Sequence, residues 1–350
     1  MKKEVRIVID TIGGDNGAEV CVNGAIEGLK QHPEVHIILT GHEEEINKYL
    51  EGKEYDKNRL EIINTTEEIS LNEPPVKAVR EKKDSSLVVG MNQVKEGKAD
   101  AFISAGCSGA ILAGGTFIIG RSKGVKRAPL APLLPTTKTP ALLIDCGANV
   151  DAKPEVLVQF AQIGSIYMQK ICGVKNPRVA IVNIGLEEEK GNALVKSTYP
   201  LLKACKSINF IGSIESREIP NGKADVILTE AFVGNVILKL YEGLAKMLLG
   251  EIKGVIMSSL KSKIGGLFIK SSLKGLKSRF SASEYGGAPL LGLNGLVVKI
   301  HGNSKEGEVI SAIRQCLTFV DQDVNGLIAK GLADEAAEES LEASANAENK

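Results

Sequence analysis

Tryptophan is absent from this 350-residue chain, and phenylalanine and tyrosine number only 8 and 6. At 4% aromatic content there is no material for a base-stacking platform. Excess charge is missing too: 43 Lys and Arg balance 43 Asp and Glu. A neutral chain has no global pull toward nucleic acid, so no nucleic-acid partner is expected. No Cys-x-x-Cys pair occurs. Cys21, Cys107, Cys146, Cys172, Cys205 and Cys316 are scattered, several in apolar runs such as "LLIDCGANV". They read as buried thiols of a reducing compartment, not as disulfides or zinc ligands.

Histidine is scarce, with 4 residues, none beside a serine or cysteine elbow, so a hydrolase triad is unsupported. "HPEVH" (His32 to His36) misplaces the glutamate of a zinc-protease motif, and Pro33 interrupts its helix. No Gly-x-Gly-x-x-Gly follows a strand-like run, which argues against a nicotinamide site. "GTFIIGRS" (Gly115 to Ser122) resembles a P-loop, but Arg121 replaces the lysine and the interior is apolar; it is expected to cross the core. No run reaches the ~18 apolar residues of a membrane-spanning helix. "MKKEVRIVID" is charged too soon for a signal peptide, so a cytoplasmic location is expected.

What is present is alternation. Strand-like apolar runs occur at Val5 to Asp10, Val35 to Gly41, Leu60 to Asn64, Ala99 to Gly106, Ala141 to Gly147, Arg178 to Gly185, Ile208 to Ser213, Ala224 to Glu230 and Gly295 to Gly302. Helical periodicity lies between them, as in Glu19 to Lys30, Ser86 to Glu96, Pro154 to Ile171 and Val233 to Leu249. Continuous apolar strands separated by helices predict an α/β fold with a mostly parallel sheet covered on both faces. Such sheets bind ligands at the carboxyl ends of their strands.

Four strand ends carry chemistry. In "DTIGGDNG", Gly13 and Gly14 permit a sharp turn and close approach to a ligand, while Asp15 and Asn16 are candidate helix caps. In "ISAGCSGAILAGG", Ser104, Gly106, Ser108 and Gly109 suit an anion cradle, the plain alternative being close helix–sheet packing. "NIGLEEEKGN" places Asn183 at a strand end and Lys190 after three acids, where a lysine can neutralise a phosphate or an oxyanion. In "EAFVGNVILK", Asn235 follows a glycine at a helix start, to cap that helix or to face the site.

These motifs, with "LIDCGANVDAKPEVLVQFA", "NFIGSIESREI" and "EYGGAPLLGLNG" followed by "HGNS", occur in an order that resembles the bacterial phosphate acyltransferases of phospholipid synthesis, the PlsX-type enzymes, over roughly Met1 to Val320. Departures are Thr11 and Ile12 for Ala-Met, Cys107 and Ser108 for Asn-Thr, Glu230 and Ala231 for Asp-Gly, and Leu186 for an acid. The resemblance implies a three-layer α/β/α, isopropylmalate-dehydrogenase-like fold shared with phosphotransacetylases. It also implies a homodimer, no metal and no cofactor, and transfer of a fatty acyl group from acyl carrier protein (ACP) to inorganic phosphate. The product would pass to a downstream membrane acyltransferase. On that resemblance Lys190 and Asn235 are expected in catalysis, Ser104, Gly106, Ser108 and Gly109 around phosphate, and Gly13, Gly14, Asp15 and Asn183 in the cleft. A phosphotransacetylase acting on acyl-CoA and an inactive membrane-recruited scaffold are the alternatives.

The expected organisation is one catalytic unit at 1–330, a basic helical insertion at 250–283 and a disordered acidic tail at 331–350. From Ile252 to Ser283 the chain carries Lys253, Lys261, Lys263, Lys270, Lys274, Lys277 and Arg279 with no acid. Ile256, Leu260, Ile264, Phe268, Leu276 and Phe280 recur at multiples of four, with Leu267 beside them. Two helices are expected here, broken at Gly265–Gly266. Ile256, Leu260, Ile264, Leu267 and Phe268 would face an anionic membrane, placing the protein peripherally on the inner face of the cell membrane. "EYGGAPLLGLNG" would then return the chain to the core.

Overall fold

The computed structural model describes residues 4–70, 72–279 and 286–334. Its first sheet has six strands. In chain order these are β1 (Val5–Asp10), β2 (Val35–Gly41), β3 (Leu60–Asn64), β4 (Ala101–Ser104), and then β10 (Ala288–Leu290) and β11 (Leu296–Lys299). They lie in the order β10-β11-β4-β1-β2-β3. The second sheet runs β5-β6-β9-β7-β8, from β5 (Leu133–Leu134), β6 (Ala141–Ile144), β7 (Arg178–Val182), β8 (Asn209–Ile214) and β9 (Val226–Leu228). Only β10 on β11 and β5 on β6 pair antiparallel; the other named pairs are parallel. Residues 129–132 join the sheets. Leu291 N donates to Pro129 O at 3.0 Å and Ala131 N to Pro289 O at 3.1 Å, while Cys146 N donates to Leu130 O and Leu143 N to Pro132 O, each at 3.0 Å.

Helices cover both faces. Because side chains alternate along a strand, Ile7, Ile9, Leu142 and Ile144 enter one apolar cluster, and Val8 and Leu143 the other. On the first face α1 (Gly17–Gln31) packs on a late helix, α10 (Glu306–Asp321). A Cβ on Gly24 would lie 2.5 Å from Val309 Cβ, so glycine lets the two helix backbones close up. The second face is covered by α3 (Pro75–Glu81), α4 (Ser86–Lys95), α5 (Ser108–Gly114) and the start of α8 (Ala231–Met257). The three-layer α/β/α architecture is the one expected. β5 and β10 were not anticipated, since they span two and three residues and β10 contains Pro289. Leu290, Leu291 and Leu293 are buried, so the return stretch does enter the core; its Glu284 and Tyr285 lie outside the described residues.

Three local expectations need correction. "GTFII" is a widened helical turn, Gly115–Ile119, continuing α5; Ile119 is buried but Phe117 is exposed, so it borders the core and does not cross it. Asn16 makes no side-chain cap, because its amide reaches Ser304 O at 2.8 Å instead. The break in the basic segment falls at Ser258–Ser259, not at Gly265–Gly266. There the Ser259 hydroxyl accepts from Ser262 N at 3.0 Å, starting α9 (Leu260–Arg279), which runs on through both glycines. Gly266 serves contact: a Cβ there would lie 2.5 Å from Ile256 Cγ2.

Among described residues from Tyr241 to Leu273 none is buried. Leu260, Ile264, Leu267 and Phe268 are exposed, Phe268 at 86%, whereas Ile256 is half-buried against α9. Residues 280–283 of this segment lie outside the described residues. A last helix, 324–334, buries Leu332 and extends past the expected boundary at 330; 335–350 lie outside the described residues.

Candidate active site

The carboxyl ends of β1, β4 and β11 meet at one place, and a buried carboxylate organises them. Asp10 closes β1. Its Oδ1 accepts from Ser86 Oγ at 2.6 Å, Ile12 N at 3.1 Å and Gly13 N at 3.4 Å, and its Oδ2 accepts from Ser104 Oγ at 2.7 Å. Ser104 Oγ in turn accepts from Gly106 N at 3.0 Å, so one side chain ties the β1 and β4 loops together. The loops then touch through backbone. A Cβ on Gly13 would lie 2.5 Å from Gly106 Cα and N, and one on Gly14 3.1 Å from Gly302 O. Gly14 also holds φ +142, and Asp15 N donates to Gly302 O at 2.7 Å.

The opposite wall comes from the second sheet. Asp145, after β6, gathers Leu130 N at 2.9 Å, Ala148 N at 3.2 Å, Asn149 N at 2.7 Å and Asn149 Nδ2 at 2.8 Å. Burial pushes its carboxyl pKa up, against those hydrogen bonds. α8 is seated on this loop. Glu230 caps it, accepting from Phe232 N at 2.6 Å and Val233 N at 2.9 Å. Gly234 comes so close that a Cβ would lie 1.9 Å from Asp145 O. With capping supplied by Glu230, Asn235 is left to face inward.

Between these walls lies a cavity of about 730 Å³. Its floor is Gly13, Gly14, Asp15 and Ala105 to Ser108; its far wall is Cys146, Gly147 and the α8 residues Asn235, Leu238, Lys239, Tyr241 and Glu242. Ile69 and Leu130 to Pro135, except Ala131, make an apolar side, and Lys299, His301 and Gly302 close the polar end. Lys239 pairs with Glu242 at 2.7 Å, and His301 Nε2 lies 4.0 Å from the same carboxylate. Burial first, and Lys239 second, lower the Lys299 pKa. Burial, then Asp145 and Glu242, push the Cys146 thiol well above its ordinary value. Burial also raises the Tyr241 pKa, and its hydroxyl has no hydrogen-bond partner among the described residues.

Of the residues singled out in the sequence, Gly13, Gly14, Asp15, Gly106, Ser108 and Asn235 line this cavity. Ser104 lies beneath the floor, fully buried, its hydroxyl committed to Asp10 and Gly106. Gly109 faces α3, where a Cβ would lie 2.6 Å from Pro75 Cγ. Asn183 and Lys190 are outside the lining. The Asn183 amide donates to Lys190 O and Ser213 Oγ, each at 3.1 Å, holding the loop after β7. Lys190 is half-exposed and pairs with Glu187 at 2.9 Å. Lys239, Glu242, Cys146, Lys299 and His301 were not anticipated. "VVKIHG" was a legible signal for two of them, being a further strand end that carries a cation. Among the described residues no helix is long and apolar enough to cross a membrane, and no His, Cys, Asp and Glu cluster suits a metal.

Comparison with known proteins adds the family. The family model described as fatty acid synthesis protein matches residues 5–327. A phosphate acyltransferase of Clostridium botulinum is 49% identical over 318 residues, covering 91% of this chain and 95% of that protein. A phosphate acyltransferase of Clostridioides difficile is 49% identical over 331 residues, covering 93% and 97%. Among solved structures, a phosphotransacetylase from Streptococcus pyogenes superposes with a TM-score of 0.62 over 92% of this chain and 95% of that one, at 17% identity, a likeness of fold.

Proposed function

The chain belongs to the fatty acid synthesis protein family, that of the phosphate acyltransferases, and it transfers an acyl group to phosphate; from that premise we propose that the donor is the thioester of acyl carrier protein. The observation that carries this reading is the two-sided cavity. Its apolar side, with Ile69, Leu130, Leu133, Leu134 and Leu238, suits an acyl chain, and its polar end suits an anion.

The chemistry needs no enzyme nucleophile. A phosphate oxygen attacks the thioester carbonyl carbon, a C–O bond forms, the C–S bond breaks, and the proton of hydrogen phosphate leaves with the carrier thiol. Catalysis is then positioning plus stabilisation of the oxyanion. Asn235, on the wall, is the proposed donor to that oxyanion. Cys146 is a poor covalent alternative, because burial keeps its thiol protonated. The β4 loop, with Gly106 and Ser108, lies where phosphate would enter. Lys190 takes part if its loop brings it to the anion. Its pair with Glu187 is exposed and screened by water, so little holds it away.

Two surfaces extend the reading. Phe232, Val236, Leu240, Leu244 and Leu248 repeat every fourth residue along α8 and all are exposed, which supports a homodimer built on that stripe. On α9, exposed Leu260, Ile264, Leu267 and Phe268 accompany exposed Lys261, Lys263 and Lys270, which supports attachment to an anionic membrane, where a membrane acyltransferase would receive the acyl phosphate.

The test is to supply phosphate with either acyl-ACP or acyl-CoA and trap acyl phosphate with hydroxylamine. Strong preference for acyl-ACP is expected. Preference for acyl-CoA would make the protein a phosphotransacetylase, and no product from either would leave a non-catalytic scaffold.

A further inference from the structure

Lys299 ends β11 in register with Ser104, the last residue of β4. The residues that follow each strand, Ala105 to Ser108 and Ile300 to Gly302, both line the cavity, and so does Lys299 itself. The floor offers fewer amides to an anion than its glycines suggest. Ile12 N and Gly13 N are committed to Asp10, Gly106 N to Ser104 and Asp15 N to Gly302 O. With those four amides spent, a larger share of the attraction for a dianion falls to side chains.

Two lysines reach the cavity. Lys239 is more than half exposed and its charge is answered by Glu242 at 2.7 Å. Lys299 is the more buried, and its Nζ donates to Ile300 O at 3.1 Å, a neutral carbonyl. Among the described residues it forms no ion pair. An ammonium removed from water without a carboxylate in contact is costly, and a bound anion offsets that cost. The thiol beside it offers no such charge, since Cys146 is held protonated.

We propose that Lys299 is the phosphate-binding cation of the cavity, holding the nucleophile against the Gly13–Gly14 and Gly106–Ser108 loops. The proposal rests on the acyl-to-phosphate reading and gives its second substrate a place. It also gives a reason for the lack of a close ion pair at Lys299, which would compete with the substrate; the Glu242 carboxylate, paired with Lys239, acts on it only at longer range.

The experiment uses the full chain, varying phosphate at saturating acyl thioester, for wild type, Lys299→Met and Lys299→Arg. Lys299→Met is expected to raise the KM for phosphate about tenfold or more while the KM for the acyl donor stays within about twofold, the lower end of what losing a charged hydrogen-bond donor costs. Lys299→Arg should restore most of the phosphate affinity. An unchanged phosphate KM in folded Lys299→Met, or an equal rise for both substrates, overturns the proposal. A second measurement needs neither turnover nor a variant. Acetylation of Lys299 in the wild-type protein by acetic anhydride, followed by peptide mass spectrometry, should be slowed by inorganic phosphate and not by chloride at equal ionic strength. Equal rates would overturn the proposal. If no thioester yields acyl phosphate but phosphate still protects Lys299, the reaction reading fails and the phosphate site stands.

Discussion

Replacing Gly13 by alanine adds one methyl group where the β1 and β4 loops cross. Gly13 does not need left-handed backbone, so alanine can adopt its conformation and only space opposes it. The new Cβ would lie 2.5 Å from the Gly106 backbone, against about 3.5–4.0 Å for an ordinary carbon contact, so one loop must move by about 1 Å. Overpacking of this kind costs about 1–3 kcal/mol. For 350 residues at about 2.1 cal/mol/K each, the melting entropy is about 0.7 kcal/mol/K, so Tm falls by only about 1–4 °C. A displacement of about 1 Å between reacting groups, by contrast, costs about a hundredfold in rate. Gly13→Ala should therefore remain folded and lose about a hundredfold in kcat/KM, measured by trapped acyl phosphate beside thermal unfolding. Gly243→Ala is the control: it lies on α8 with no atom within 4 Å of the added Cβ, and it should leave activity unchanged. Near-wild-type activity in folded Gly13→Ala would refute the placement of the reaction on this floor.

Three further outcomes are expected. Gly234→Ala puts a Cβ 1.9 Å from Asp145 O, a backbone atom, so it should lower stability more than Gly13→Ala does and push α8 off the second wall; equal Tm values for the two variants would contradict that seating. Lys190→Ala should cut turnover at least about tenfold with the fold intact, as loss of a positioned charge does, and an unaffected rate would remove Lys190 from the chemistry. Replacing Leu267 and Phe268 with glutamate should release the protein from anionic liposomes and spare activity on soluble substrate, and wild-type binding should weaken in high salt; a variant that still co-sediments would show that α9 is not the anchor.

Much of the fold was legible because parallel strands covered on both faces are written as unbroken apolar runs, as in β1, β2 and β6. β5 and β10 were hidden by their length and, for β10, by a proline and flanking glycines that read as turn. The helix break was misplaced because glycine is a weak signal inside a helix: Gly266 admits Ile256 while the chain stays helical, and the stop comes from a serine cap. At the site, glycine followed by asparagine at a helix start pointed to Asn235, although Glu230 turned out to supply the cap. Ser104 was legible as a strand-end serine, but only coordinates reveal that its hydroxyl is committed to Asp10. Lys299 was missed because a lysine at the end of an apolar strand reads as a solvated terminus, and the α8 charges that act on it, Lys239 and Glu242, lie elsewhere in the sequence.

The floor of the cavity has a consequence for how such a protein can change. Gly13, Gly14 and Gly106 present backbone, and Gly13 and Gly14 meet backbone of the neighbouring loop, so most substitutions there disturb the loops before they alter any contact with a ligand. The apolar side is different. Ile69, Leu133 and Leu238 present partly buried side chains to the cavity, whose size can vary with less disturbance than at the buried Leu134. On the proposed reading, acyl preference can drift among descendants of this chain through those few positions while the proposed phosphate end stays fixed.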